Sequence, residues 1–400
     1  MTIQQQNTNF GAQFGGRQHF LDWLRVLAFA YLAFFHTGMM FVDWPFHIES
    51  GHDSEFLKSI MILTTTWRLD LLFLVSGVAI SFMMTRMTIV RFLKQRFVKL
   101  FIPLFFACAV IVAPQPYFEA VQKGIIEPGF WQFWTTQYFT GSWWEGMLTP
   151  VPTYNHMWYV AYLFVYTILL VPLFAFINSE TGIAKLASLE NWLTKGARIL
   201  WAPFVLYLSV FFYTGNNDIT HAIWDDWFGH FVYAYILILG VIFVRMPTVW
   251  QAFEDNRYKS LALALASYGV ILIRYNWNTP LDIISWDLME MIMKWSWVAT
   301  LIGFAKHHLN FNNDELQYCN SIVYPFFILH QTVIICIGYY IIDWGMNGVL
   351  EFMAILIGTF IISILLIELV IKKSNILRLL FGLKLIKKEP DFALKSSSLC

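Results

Sequence analysis

Charge is scarce in this sequence. Asp, Glu, Lys and Arg together make up 13% of its 400 residues, where soluble domains carry about 25%. The missing polar surface excludes an ordinary soluble fold, because water-facing positions would have to be filled with apolar side chains. Cysteine is sparse too: Cys108, Cys319, Cys336 and Cys400 show neither CxxC nor metal-ligand spacing. They therefore predict neither a disulfide framework nor a metal site. No tandem repeat and no matched pair of broken apolar segments of the transporter kind is present. The first sixteen residues are polar and Gly-rich, without the basic start and short apolar core of a cleavable leader. The first apolar segment is expected to be a permanent helix.

What is abundant is hydrophobicity. Apolar residues reach 58% and the mean hydropathy is +0.57, which predicts an all-α polytopic membrane protein. Eighteen Trp and eighteen Tyr suit the headgroup level, where an amphipathic ring satisfies both phases. Spanning the hydrocarbon takes about 20 apolar residues. Runs of that kind lie near 20–42, 61–84, 100–118, 156–177, 199–214, 229–246, 259–276, 286–305, 321–342 and 347–371, so about ten transmembrane helices are expected. With both termini in the cytoplasm, 21 of the 26 Lys and Arg fall on the inner side, as the positive-inside rule requires. The expected division is a polar cytoplasmic start (1–18), a membrane domain (19–371) and a basic cytoplasmic tail (372–400) in a multi-pass protein of the cytoplasmic or inner membrane. The tail "KKSNILRLLFGLKLIKKEP" has the leucine and lysine spacing of an interfacial helix on an anionic leaflet. The aromatic stretch between the third and fourth runs reads as a lid at the outer surface, or equally as an interfacial aromatic belt. Membrane lipids are expected partners, and nothing points to nucleic acid.

Ionisable residues inside spanning helices cost several kcal/mol and mark candidate sites. In "LDWLRVLAFAYLAFFH", Arg25 and His36 are eleven residues apart, which returns them to within about 20° of one face and about 16 Å apart along the axis. Asp22 can pair with Arg25 one turn away. A neutral, desolvated imidazole at His36 can act as a base; a helix–helix hydrogen bond is the plainer alternative. Arg96 and Lys99 begin the third helix at i, i+3 spacing and could grip phosphates, although inner-loop bias alone explains a basic segment. Arg68 and Asp70 precede "LLFLVSG", where a mutual ion pair is the simplest expectation. His156 and His330 read as site residues or packing histidines at even odds. His47, His52, His221, His307 and His308 are expected in loops.

These segments resemble the acyltransferase-3 family of integral membrane proteins. "RQHFLDWLRVLAFAYLAFFH" resembles its opening motif, with Arg25 and His36 in the Arg and His positions. "LLFLVSGVAISF" resembles the second-helix motif, with Ser76 and Gly77 as its Ser-Gly. "RFVKLFIP" resembles its Arg-x-x-Arg motif, where Lys99 replaces the second arginine and loses the planar fork. "HMWYVAYLF", with His156 and Trp158, and "YPFFILHQTVI", with His330, resemble later segments. The resemblance implies an acyltransferase, moving acetyl or succinyl from cytoplasmic acyl-coenzyme A to a hydroxyl of a glycan or a small acceptor, and having no permanently bound cofactor. The overall look is similar to the type that succinylates periplasmic glucans. In that reading His36 is the base or nucleophile and Arg25, Arg96 and Lys99 hold the coenzyme. Asp22, Arg68, Asp70, Ser76, His156, Trp158 and His330 give support. A transporter or flippase for an acidic or acylated solute is the alternative from another class, and a scaffold with an aromatic docking segment is a third.

Overall fold

The computed structural model describes residues 18–205, 219–277 and 286–386. Every regular element among them is helical: α1 (His19–Gly38), α2 (Glu55–Thr65), α3 (Arg68–Met84), α4 (Ile89–Arg96), α5 (Pro114–Gln122), α6 (Phe130–Thr136), α7 (Trp158–Leu169), α8 (Val171–Ile177), α9 (Glu180–Leu193), α10 (Trp227–Phe243), α11 (Val249–Asp255), α12 (Arg257–Trp277), α13 (Trp286–His308), α14 (Asp314–Ile341), α15 (Gly348–Leu369) and α16 (Asn375–Leu380). Side-chain caps fix several starts: Ser54, Thr88, Ser179, Asp226, Asn313 and Asn347 each accept the backbone N–H three residues on.

Among the described residues, six helical stretches are long and apolar enough to cross a membrane, and a seventh if α7 and α8, bent by 51°, form one span. The difference from ten has identifiable sources. The helix α10 is apolar but only 17 residues long. The longer α12 carries Arg257, Lys259 and Arg274, and most of the expected 199–214 run lies outside the described residues. Of the tail helix, the described part is the short α16, and residues 387–400 lie outside.

In a bilayer, helices associate where backbones approach closely, because lipid offers no hydrophobic drive between them. The α3–α10 pair shows this at two glycines. A Cβ on Gly77 would stand 2.1 Å from the Leu237 carbonyl oxygen, and one on Gly240 would stand 2.0 Å from that of Leu74. Gly77 of the Ser-Gly motif is therefore a packing residue. Around this contact Phe73 stacks on Tyr233 and meets Tyr159 edge-on, and α1 runs beside α3, α13 and α14.

The third spanning stretch, 89–122, is interrupted by π-helical turns at Phe97–Phe101 and Ala107–Ile111. Such widened turns re-aim side chains and are frequent at functional sites. Beyond α5, the aromatic segment folds back on this stretch. Trp134 donates its indole N–H to the Ala109 carbonyl at 2.8 Å, and Tyr138 its hydroxyl to that of Cys108 at 2.6 Å. Trp131 and Trp143 stay exposed.

Candidate active site

At one end of α1, Arg25 donates to Asp22 at 3.0 Å and to Asn320 of α14 at 2.5 Å. Close by, Lys99 donates to the Gly382 carbonyl at 2.6 Å, and Arg96 lies over Phe92 and reaches the Met83 sulfur at 2.8 Å. The backbone of α1 begins here, Trp23 reaching the Phe311 carbonyl just before α14. This is the basic end of the bundle. The charges of Arg25 and Arg96 both reach the Tyr159 hydroxyl, which shares a 2.6 Å hydrogen bond with Ser76.

In the last turn of α1, at the other end, His36 meets His330 of α14 at 5.3 Å between ring centroids, and His330 meets His156 at 5.2 Å. The three histidines singled out in the sequence thus form one cluster. Phe46 stacks on His36, while Phe327 packs against both His156 and His330. His330 is fully buried, and His36 is partly exposed. The His330 Nδ1–H donates to the Phe327 carbonyl at 2.6 Å. That bond fixes the tautomer and leaves a lone pair on Nε2, which has no hydrogen-bond partner among the described residues. His36 Nδ1 likewise has none.

His156 is held by a polar network that reaches the aromatic segment between α5 and α7. Thr149 and Thr153 donate their hydroxyls to Asn155 Oδ1 at 3.5 and 2.8 Å, so the amide nitrogen of Asn155 must be the donor to Gln115 Oε1 at 2.8 Å and to His47 Nε2 at 3.0 Å. Gln115 then spends both N–H groups, on Thr332 at 2.7 Å and on His156 Nδ1 at 3.3 Å. Each imidazole therefore accepts at one nitrogen and donates at the other. His156 Nε2–H reaches the Ile328 carbonyl at 3.1 Å, and His47 Nδ1–H reaches the fully buried Glu119 at 2.5 Å. Glu119 also takes Lys123 and the Leu148 N–H, both at 2.8 Å. Asn155 adopts a left-handed φ of 36°, a conformation Asn tolerates better than most residues.

Several sequence expectations change here. Arg68 and Asp70 form no ion pair: residues two apart on a helix point in opposite directions. Asp70 lines a small pocket with Lys294 and Trp295, whereas the Arg68 guanidinium lies 3.3 Å from the Phe35 ring centre. His47 sits in a loop but is buried in the network, and His307 and His308 lie in the last turn of α13, where His307 meets Glu254 at 2.8 Å. Trp158 stacks at 3.9 Å on His221, whose imidazole burial pushes down to about 4 against the opposing pull of Asp226. Gln115, Asn155, Glu119 and Asn320 carried no readable signal. Only the i, i+4 spacing of Glu119 and Lys123 hinted at a pair.

A family model described as an acyltransferase domain matches residues 18–368. Glucans biosynthesis protein C of Escherichia coli K12 is 23% identical over 396 residues, covering 94% of this chain and 97% of its own, and the proteins of that name from Escherichia coli O157:H7 and O81 match to the same extent. No solved structure matches. With that span of match, the cluster His36–His156–His330 belongs to a membrane enzyme that transfers acyl groups, and the chain is a member of the acyltransferase-3 family.

Proposed function

We propose that the protein moves an acetyl or succinyl group from cytoplasmic acyl-coenzyme A to a hydroxyl of a glycan or other acceptor at the outer side of the membrane. The observation that carries this reading is the arrangement of α1. Its Arg25 stands at a basic mouth shared with Arg96 and Lys99, and its His36 stands about 16 Å further along in a cluster of imidazoles. The coenzyme is a polyanion and suits the basic mouth, while its extended thioester arm points inward. His36 takes the proton of the acceptor hydroxyl as the oxygen attacks the thioester carbon. The C–O bond forms, the C–S bond breaks, and the proton ends on the departing thiolate. The coenzyme is a substrate, with no cofactor bound permanently.

The proposed topology has ten spans with both termini in the cytoplasm. It is supported by the 21 Lys and Arg that this arrangement gathers on one side and by the α1 start and Gly382 lying together at the basic end. The extent of match to glucans biosynthesis protein C favours a glycan as acceptor.

The test is turnover of acetyl- and succinyl-coenzyme A by the detergent-purified protein. His36→Ala should abolish it while leaving a folded, monodisperse protein; retained turnover overturns the role of His36. An Arg96→Ala, Lys99→Ala double variant should weaken donor binding. Unchanged donor affinity would leave those residues a topological role alone.

A further inference from the structure

Arg68 is only 8% exposed, and it lies inside the spanning stretch Glu55–Met84. Its Nε and Nη1 are enclosed without a hydrogen-bond partner among the described residues. The contact it does make is with an aromatic face, the ring of Phe35, at 3.3 Å. The phenols closest to its charge are engaged elsewhere: Tyr31 shares a hydrogen bond with Thr64 at 2.6 Å and Tyr233 with His221 at 3.1 Å. Asp70 points to the opposite side of α3, toward Lys294. A buried guanidinium with no anion is among the most unfavourable arrangements a membrane core can hold. An aliphatic residue would pack there at far lower cost.

Phe35 is the neighbour of His36, and the Arg68 charge acts on the His36 imidazole. A ligand group bound at Arg68 would therefore lie close to the atoms reacting at His36. In the proposed reading the coenzyme phosphates bind at Arg25, Arg96 and Lys99, about 16 Å away along α1, and do not reach this point. We propose that Arg68 binds the free carboxylate of the acyl group being transferred, so that the donor is the coenzyme A thioester of a short dicarboxylic acid. In a succinyl thioester the carboxylate lies three carbon–carbon bonds beyond the reacting carbon. The planar guanidinium fork matches a carboxylate through two parallel N–H donors. The distal carboxylate passes through the reaction unchanged: the C–S bond breaks, the ester C–O bond forms, and the hydroxyl proton leaves on the coenzyme thiolate. The bound carboxylate also supplies the counter-charge that Arg68 lacks.

This inference rests on the acyl-coenzyme A reading above, and its test separates the two. The full-length protein in detergent is assayed with succinyl- and acetyl-coenzyme A, for turnover and for equilibrium binding, in the wild type, Arg68→Met and Arg68→Lys. The wild type should favour the succinyl donor in kcat/KM by about tenfold to a hundredfold, the range expected of a hydrogen bond to a charged group. Arg68→Met should erase that preference, and Arg68→Lys should recover part of it. Equal losses with both donors, or a preference that Arg68→Met does not alter, overturn the proposal while leaving acyl transfer intact. A KM for acceptor that rises with both donors would assign the anion to the acceptor and also overturn it. If neither donor is turned over, the proposed function fails, and binding decides Arg68: tighter binding of succinyl- than acetyl-coenzyme A, lost in Arg68→Met, supports the site, and equal binding overturns it.

Discussion

The imidazoles of His36 and His330 lie 5.3 Å apart on α1 and α14, helices from opposite ends of the chain. His330 already commits its Nδ1–H to the Phe327 carbonyl, so its Nε2 is a lone-pair acceptor by construction. An acceptor of this kind beside the proposed base can hold or pass on the proton that His36 takes up. His330→Gln is expected to lower kcat by about a hundredfold, the lower range for loss of a proton-transfer group, with little change in either KM. The pH profile should lose one of its limbs. A kcat unchanged within twofold would reduce His330 to a packing residue.

Gln115 has two N–H groups and one carbonyl, and all three are used on Thr332, His156, Asn155 and Gln331. Gln115→Leu would strand the buried partners, at a cost of about 1–3 kcal/mol for each unsatisfied group. The thermal midpoint should fall, and kcat should fall with it because His156 loses the bond that fixes its ring. Gln115→Glu should do worse, since the new carboxylate cannot donate to either partner. Matching midpoints for wild type and Gln115→Leu would show that the network is not structural.

Much of this site was legible in advance because it depends on helix geometry. The eleven-residue interval between Arg25 and His36 maps onto one face of α1, and Asp22 reaches Arg25 by its i, i+3 spacing. Arg68 and Asp70 looked like partners only while the two-residue interval was read as proximity. What stayed hidden was non-local. Gln115, Asn155 and Thr332 are unremarked polar residues in sequence, and they become a network only when the third spanning stretch, the α7 entry and α14 are brought together, just as Asn320 meets Arg25 only when α14 packs on α1. The burial of His47 stayed hidden for a related reason: it lies in a loop, as expected, and loop histidines are ordinarily solvated. Spans such as α10 were legible as apolar runs, and at 17 residues α10 stands at the short limit of a crossing helix.

Gly77 and Gly269 make a matched pair of tests for the role of close helix approach. A Cβ at Gly77 would meet the Leu237 carbonyl at 2.1 Å, backbone that has no room to move, whereas one at Gly269, inside α12, meets nothing within 4 Å. Gly77→Ala is expected to destabilise by at least the 1–3 kcal/mol of ordinary overpacking and to lower the folded yield. Gly269→Ala should be neutral or slightly stabilising, because alanine is the better helix former. Size-exclusion profiles and thermal midpoints in detergent check both, and a tolerated Gly77→Ala would mean that α3 and α10 slide apart readily.

The loop histidine His221 gives a pH dependence whose sign is set by burial. Its folded-state imidazole titrates at about 4, below the unfolded value of about 6.5, so the unfolded chain binds the proton first. Stability from this residue is fully present above about pH 6.5 and drains away as the pH falls toward 4. The ring stacks on Trp158 and shares a 3.1 Å hydrogen bond through Nε2 with the Tyr233 hydroxyl, while its backbone N–H is held by Asp226; the protonated ring can keep the Tyr233 bond only as donor. The thermal midpoint should drop between pH 6.5 and 4.5, and His221→Gln should flatten that drop while lowering the midpoint at neutral pH, because the amide cannot stack as the imidazole does. An unaltered pH slope in His221→Gln would place the acid sensitivity in other groups.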